Sequence, residues 1–122
     1  EITMKGTCHC GVVELNITLS DALSTARRCD CSYCARRGAI AVSAPLSGIE
    51  IVKGADNLTL YKWGTQTAKH YFCQTCGIYT HHQRRSNPKE YGVNVAILEG
   101  VNPRDLGDVL WVDGQNHPSD RD

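Results

Sequence analysis

Aromatic side chains are scarce in this chain, which has one Phe, two Trp and five Tyr among 122 residues. A core built without aromatic bulk is modest, so an additional staple such as bound metal would help to hold the fold. Excess charge of either sign is also lacking, with 13 Lys plus Arg against 13 Asp plus Glu. That balance gives no electrostatic case for a nucleic-acid partner or an anionic membrane surface. No apolar run approaches the roughly 18 residues of a membrane span. No export signal is visible behind Glu1, and a cytoplasmic setting is the expectation. Length corresponds to one domain, residues 1–122, with a polar tail over 113–122 that is expected to be flexible.

Long helical periods are missing too. Residues 13–19 alternate apolar and polar, the two-residue period of a half-buried strand. Further β-like runs cover 40–43, 49–53, 58–63, 68–72, 79–83, 93–98 and 110–112, with glycines mostly between them. Only two short helical turns are expected, over 32–37 and 103–106. Strands at roughly ten-residue spacing without long helices predict a mainly β domain.

Cysteine is what the chain does have, and seven are present in two spaced sets. Cys8 and Cys10 form a C-x-C pair, Cys73 and Cys76 a C-x-x-C pair, and Cys29, Cys31 and Cys34 a C-x-C-x-x-C triplet between them. Disulfides are the competing explanation. Against them stand the missing export signal, the poor fit of a C-x-C pair to an internal bridge, and a length beyond that of small disulfide scaffolds. Metal-bound thiolates in a reducing compartment fit better. Cys8, Cys10, Cys73 and Cys76 supply the four sulfurs of a closed tetrahedral zinc shell, with Gly11 and Gly77 after the two pairs as tight turns require. His9 is a competing ligand, expected to point away from the ion.

Three thiolates alone leave one coordination position open, as a catalytic zinc requires. Cys29, Cys31 and Cys34 are therefore the candidate catalytic zinc ligands, with two zinc ions expected in all. An exogenous thiol or a water at the open position would be activated as thiolate or hydroxide. Arg27, Arg28, Arg36 and Arg37 flank the triplet and could hold an acidic thiol such as glutathione, or form a solvated basic face. A fourth ligand from His70, His81, His82 or His117 would instead make the site structural. His81 and His82 are adjacent, so on a strand they face opposite ways and at most one could serve. A metal-free redox thiol cluster is the remaining alternative.

With both clusters in place, the chain resembles the family that joins glutathione-dependent formaldehyde-activating enzyme and centromere protein V. The resemblance is carried by Gly6-Thr7-Cys8-His9-Cys10-Gly11, by Cys29-Asp30-Cys31-Ser32-Tyr33-Cys34, and by Lys69-His70-Tyr71-Phe72-Cys73-Gln74-Thr75-Cys76-Gly77. Arg85-Ser86-Asn87-Pro88 and Asp113-Gly114-Gln115-Asn116-His117-Pro118 look like segments of the centromere-protein branch. The resemblance implies an Mss4-like β-tent of small antiparallel sheets around a structural zinc. It also implies structural roles for Cys8, Cys10, Cys73 and Cys76, and catalytic roles for Cys29, Cys31 and Cys34. The implied activity is carbon–sulfur lyase chemistry on a thiol–aldehyde adduct such as S-hydroxymethylglutathione, with a small-molecule thiol as partner. Where the family often has His, this chain has Asp30, which adds negative charge and is a candidate proton acceptor. The centromere-protein branch keeps a non-catalytic zinc-binding interaction module, or a thiol redox or formaldehyde sensor, as the alternative function.

Overall fold

The structure is a computed structural model that describes residues 3–64, 66, 68–84 and 87–113. His117, Arg85, Ser86 and most of the expected polar tail lie outside the described residues. The chain is mainly β, as expected. Among the described residues ten strands form: β1 (Thr3–Thr7), β2 (Glu14–Thr18), β3 (Arg27–Cys29), β4 (Ala41–Pro45), β5 (Ile49–Lys53), β6 (Leu58–Tyr61), β7 (Lys69–Cys73), β8 (Tyr79–Gln83), β9 (Glu90–Asn94) and β10 (Leu110–Val112). One helix, α1 (Ser32–Arg37), follows β3.

Two sheets result. β1, β2 and β5 make an antiparallel three-stranded sheet, and the other seven strands run in the order β10-β3-β4-β9-β8-β7-β6. The second sheet is larger than the small antiparallel sheets expected, and it is mixed, because β10 pairs β3 in parallel. A single residue pair, Arg27 with Ala41, joins β3 to β4. The helical turns also outnumber the two expected. Short 3-10 turns at Leu46–Gly48, Ala55–Asn57 and Val95–Ile97 join the one at Pro103–Leu106. The strand expected over 93–98 ends early for this reason: the Asn94 side chain accepts the Ala96 N–H and turns the backbone into the Val95–Ile97 turn.

The core lies where β2 of the small sheet meets β4 and β9 of the large one. Leu15 and Ile17 pack in one buried cluster with Val42, Ala44, Val93, Val95 and Ile97, and no aromatic ring is among its buried members. This is the aliphatic core that the residue supply dictates. β4 is buried from Ala41 to Ala44 on both faces. Val42 and Ala44 face the aliphatic core, whereas Ser43 faces the other way into a polar layer.

One register row crosses that polar face. Tyr61 pairs with His70, His70 with His82, His82 with Gly92, and Gly92 with Ser43. α1 covers this row through Tyr33, whose ring lies 5.1 Å from Tyr61 and 4.6 Å from His70. The large sheet thus carries an apolar face against the core and a polar face beneath α1.

Candidate functional site

Cys8 and Cys10 sit in the β1–β2 turn, Cys73 ends β7 and Cys76 lies in the β7–β8 turn, so each pair comes from a hairpin of a different sheet. The four sulfurs lie within 4.8 Å of one another. Cys8 Sγ is 3.6 Å from Cys10 Sγ, which is 3.7 Å from Cys73 Sγ. Tetrahedral coordination at a Zn–S distance of about 2.3 Å requires sulfur separations of about 3.8 Å, so the donor set and its spacing fit a metal ion. Both turns are built for it. The Cys73 N–H donates to Ile78 O and the Gly77 N–H to Cys73 O, with Gly77 at φ +78° and Gly11 at φ +81° in the left-handed region. The Val13 N–H donates to Cys8 Sγ at 3.4 Å and the Asn57 amide to Cys73 Sγ at 3.3 Å, which orients two of the sulfurs. Cys10 is raised to about 11, burial and its sulfur neighbours outweighing the Val12 backbone hydrogen bond. Cys76 is lowered to about 6, the Cys10 and Ile78 backbone hydrogen bonds outweighing burial. His9 is exposed and is absent from the converging group.

Cys29 ends β3, Cys31 is the N-cap of α1, and Cys34 lies within the helix. Their sulfurs converge within 4.8 Å. Cys31 Sγ accepts the Cys34 N–H at 3.3 Å, so a thiol takes the place of the usual Ser or Asp cap. Hydrogen bonds from the Cys29 and Cys34 thiols drive Cys31 far below the ordinary thiol range, while Cys29 and Cys34 are raised.

Among the described residues no histidine or carboxylate joins this group, which leaves three protein donors. His70 Nδ1 instead lies 3.1 Å from Arg37 Nη1. His81 and His82 do face opposite ways: His81 stacks on Tyr71, and His82 on His70. His117 lies outside the described residues. The Asp30 N–H donates to Val112 O, and the residue is half-buried.

The four arginines around the triplet differ sharply. Arg36 is exposed and returns to Ser32 O, and Arg28 reaches Gly38 O with its guanidinium 5.9 Å from the Trp111 ring centre. Arg27 donates to Thr25 O and to Ser43 Oγ, and Ser43 donates to Glu90, which pairs with Arg84. Arg37 is clamped between Tyr79 and Tyr33, 3.7 and 4.8 Å from their ring centres, and donates from Nη2 to Cys34 Sγ at 3.2 Å. Tyr79, pushed up to about 12 chiefly by burial, holds its hydroxyl 2.6 Å from His82 Nδ1. Sequence reasoning named Arg37 only as one of four flanking cations and did not find its aromatic clamp. A signal existed: residue 37 is three positions after Cys34 on the expected helical turn, the spacing at which two side chains meet.

Fold and site together define a mainly β domain with two thiol clusters, each able to hold a metal ion. A family model described as glutathione-dependent formaldehyde-activating enzyme matches residues 3–111. A crystal structure of a Rhodobacter sphaeroides protein from a structural-genomics programme is similar, with 72% identity and a TM-score of 0.88, covering 89% of this chain and 100% of that one. The chain belongs to the glutathione-dependent formaldehyde-activating enzyme family. No described helix is long and apolar enough to cross a membrane.

Proposed function

We propose that this chain is a zinc-dependent carbon–sulfur lyase-type enzyme that acts on a thiol–aldehyde adduct like S-hydroxymethylglutathione. The observation that carries the reading is the three-sulfur convergence of Cys29, Cys31 and Cys34, with no fourth protein donor among the described residues. Cys8, Cys10, Cys73 and Cys76 would hold a structural zinc that pins the two sheets together. Cys29, Cys31 and Cys34 would hold the catalytic one. Bound there, zinc supplies Lewis acidity and lowers the pKa of a thiol presented to its open side.

In the joining direction the thiol sulfur forms a bond to the carbonyl carbon of formaldehyde, and the proton lost from sulfur ends on the new hydroxyl oxygen. Cleavage runs the same atoms backwards, with no change of oxidation state. Asp30, half-buried between two of the thiols in sequence, is the candidate to carry that proton. Arg37 keeps Cys34 oriented, and the Tyr79–His82 pair supports Arg37 from below. The setting proposed is the cytoplasm, and residues 1–122 are read as one domain.

Two zinc equivalents are expected on the purified protein. The exchange of formaldehyde and glutathione with their adduct, followed by NMR, should run faster than the spontaneous reaction. The Cys34→Ser variant should lose that acceleration; full activity in the variant would overturn the reading. Two bound metals without any acceleration, across a panel of thiols, would favour the non-catalytic module.

A further inference from the structure

Arg37 is a half-buried cation whose surroundings are mostly aromatic. Its guanidinium sits between the Tyr79 and Tyr33 rings, and its Nε is a buried donor with no hydrogen-bond partner among the described residues. No carboxylate pairs with it among those residues. Its two hydrogen-bond contacts are His70 Nδ1 at 3.1 Å and Cys34 Sγ at 3.2 Å. Of these, only the sulfur carries a full negative charge when it ligates a metal. A partly desolvated guanidinium with one buried donor left unmatched among the described residues is poorly explained by stability alone.

Charge counting gives the arrangement a purpose. Three thiolates around a divalent cation sum to −1, and a thiolate arriving as fourth ligand would bring the sum to −2. That second negative charge is unfavourable in a half-buried site unless a fixed cation offsets it. Arg37 is such a cation, and it is held still, by faces rather than by a flexible ion pair. Arg27 and Arg84 do not serve here, because both are engaged with Ser43 and Glu90 on the same sheet face.

We propose that Arg37 is a positioning residue that offsets charge at the three-cysteine site, so that the site accepts an anionic sulfur as its additional ligand. The inference rests on the reading that Cys29, Cys31 and Cys34 hold a metal ion, and it names the ligand class of that site. It is independent of which aldehyde adduct is turned over.

The test uses the full chain loaded with cobalt(II) in place of zinc, with glutathione as the titrant and the sulfur-to-cobalt charge-transfer band as the readout. Wild type should take up two cobalt ions, and the band should grow as glutathione binds. Arg37→Gln should bind glutathione at least about tenfold more weakly and hold the triplet cobalt about 10- to 100-fold less tightly, the usual range for loss of a residue that orients a ligand. Its four-cysteine cobalt should be unaffected. Arg37→Lys keeps the charge without the planar fork and should recover part of the glutathione affinity. A merely structural role would not move glutathione affinity at constant cobalt content. Equal affinity in wild type and Arg37→Gln, with two cobalt ions in each, would overturn the proposal and leave the metal reading intact. Uptake of one cobalt ion by wild type would overturn both. Should Arg37→Gln lose the four-cysteine spectrum with the fold, Arg37→Met, which removes the charge and keeps an apolar stem between the two rings, decides the matter: weaker glutathione binding with two cobalt ions retained supports the proposal, and unchanged binding overturns it.

Discussion

The imidazole of His82 occupies the space that a side chain at Gly92 would need. A Cβ built at Gly92 would come within 3.0 Å of three atoms of that ring. The ring has little room to yield, because it stacks 5.1 Å from His70 and its Nδ1 lies 2.6 Å from the Tyr79 hydroxyl. Tyr79 in turn forms one wall of the Arg37 clamp. Gly92→Ala is therefore expected to cost about 1–3 kcal/mol, the usual penalty for overpacking a filled interior. Denaturant unfolding measures it, and a loss under about 0.5 kcal/mol, the ordinary scatter of a surface change, would show that the ring moves freely.

Asn57 connects the four-cysteine cluster to the turn before β6. Its amide donates to Cys73 Sγ at 3.3 Å and to Thr75 Oγ1 at 2.9 Å. Asn57→Ala removes both bonds without touching a sulfur. Metal held by Cys8, Cys10, Cys73 and Cys76 should then bind about 10- to 100-fold more weakly, whereas metal at the triplet should be unaffected. Competition against a chromophoric chelator reads the two sites in turn. Equal weakening at both would mean that Asn57 acts through the fold as a whole.

Much of the fold was legible in the sequence, and the part that was not has a physical reason. β5, β8, β10, α1 and the Pro103–Leu106 turn fall where alternation and flanking turn residues placed them. β1 went unseen because Gly6 and polar residues interrupt its five-residue run. β3 is three residues long and two of them are Arg27 and Arg28, which read as a charged flank rather than a strand. The sulfur clusters announce themselves by spacing, since cysteines two or three residues apart fall together at one turn. The polar face cannot do so. Tyr61, His70, His82, Gly92 and Ser43 share one row only through the register of five strands, which local pattern does not encode.

His81 sets an acid limit on stability. Burial lowers it from 6.5 to about 4, and its ring is fixed against Tyr71 and Tyr91 with Nδ1 2.9 Å from Thr80 Oγ1. The folded protein thus keeps His81 neutral where the unfolded chain already binds a proton. Stability from this group is complete above about pH 6.5 and falls as pH drops toward about 4, by about 3 kcal/mol over the window. Protonation of the cysteines also weakens the fold in acid, but it is common to wild type and His81→Gln. The wild type should therefore lose stability more steeply than the variant between pH 6.5 and 4.5. Parallel curves in urea titrations at each pH would count against a buried neutral His81.

The two cysteine clusters should separate in their effect on stability. Cys8 is buried in a turn of the small sheet and clusters with Cys73 of the large one, so Cys8→Ser removes a tie between sheets. Structural zinc contributes on the order of 10 kcal/mol to small domains, and this variant should fail to fold or melt far below wild type. Cys31 joins only β3 to the helix that follows it, and Ser is itself a good N-cap. Cys31→Ser should then lose the triplet metal while costing no more than about 1 kcal/mol of cap energy, and Cys31→Ala should cost about 1 kcal/mol more than Cys31→Ser. Metal content with calorimetric melting distinguishes the cases. If Cys31→Ser were as damaging as Cys8→Ser, the triplet would be a second structural site, and an enzymatic role for its open position would lose its basis.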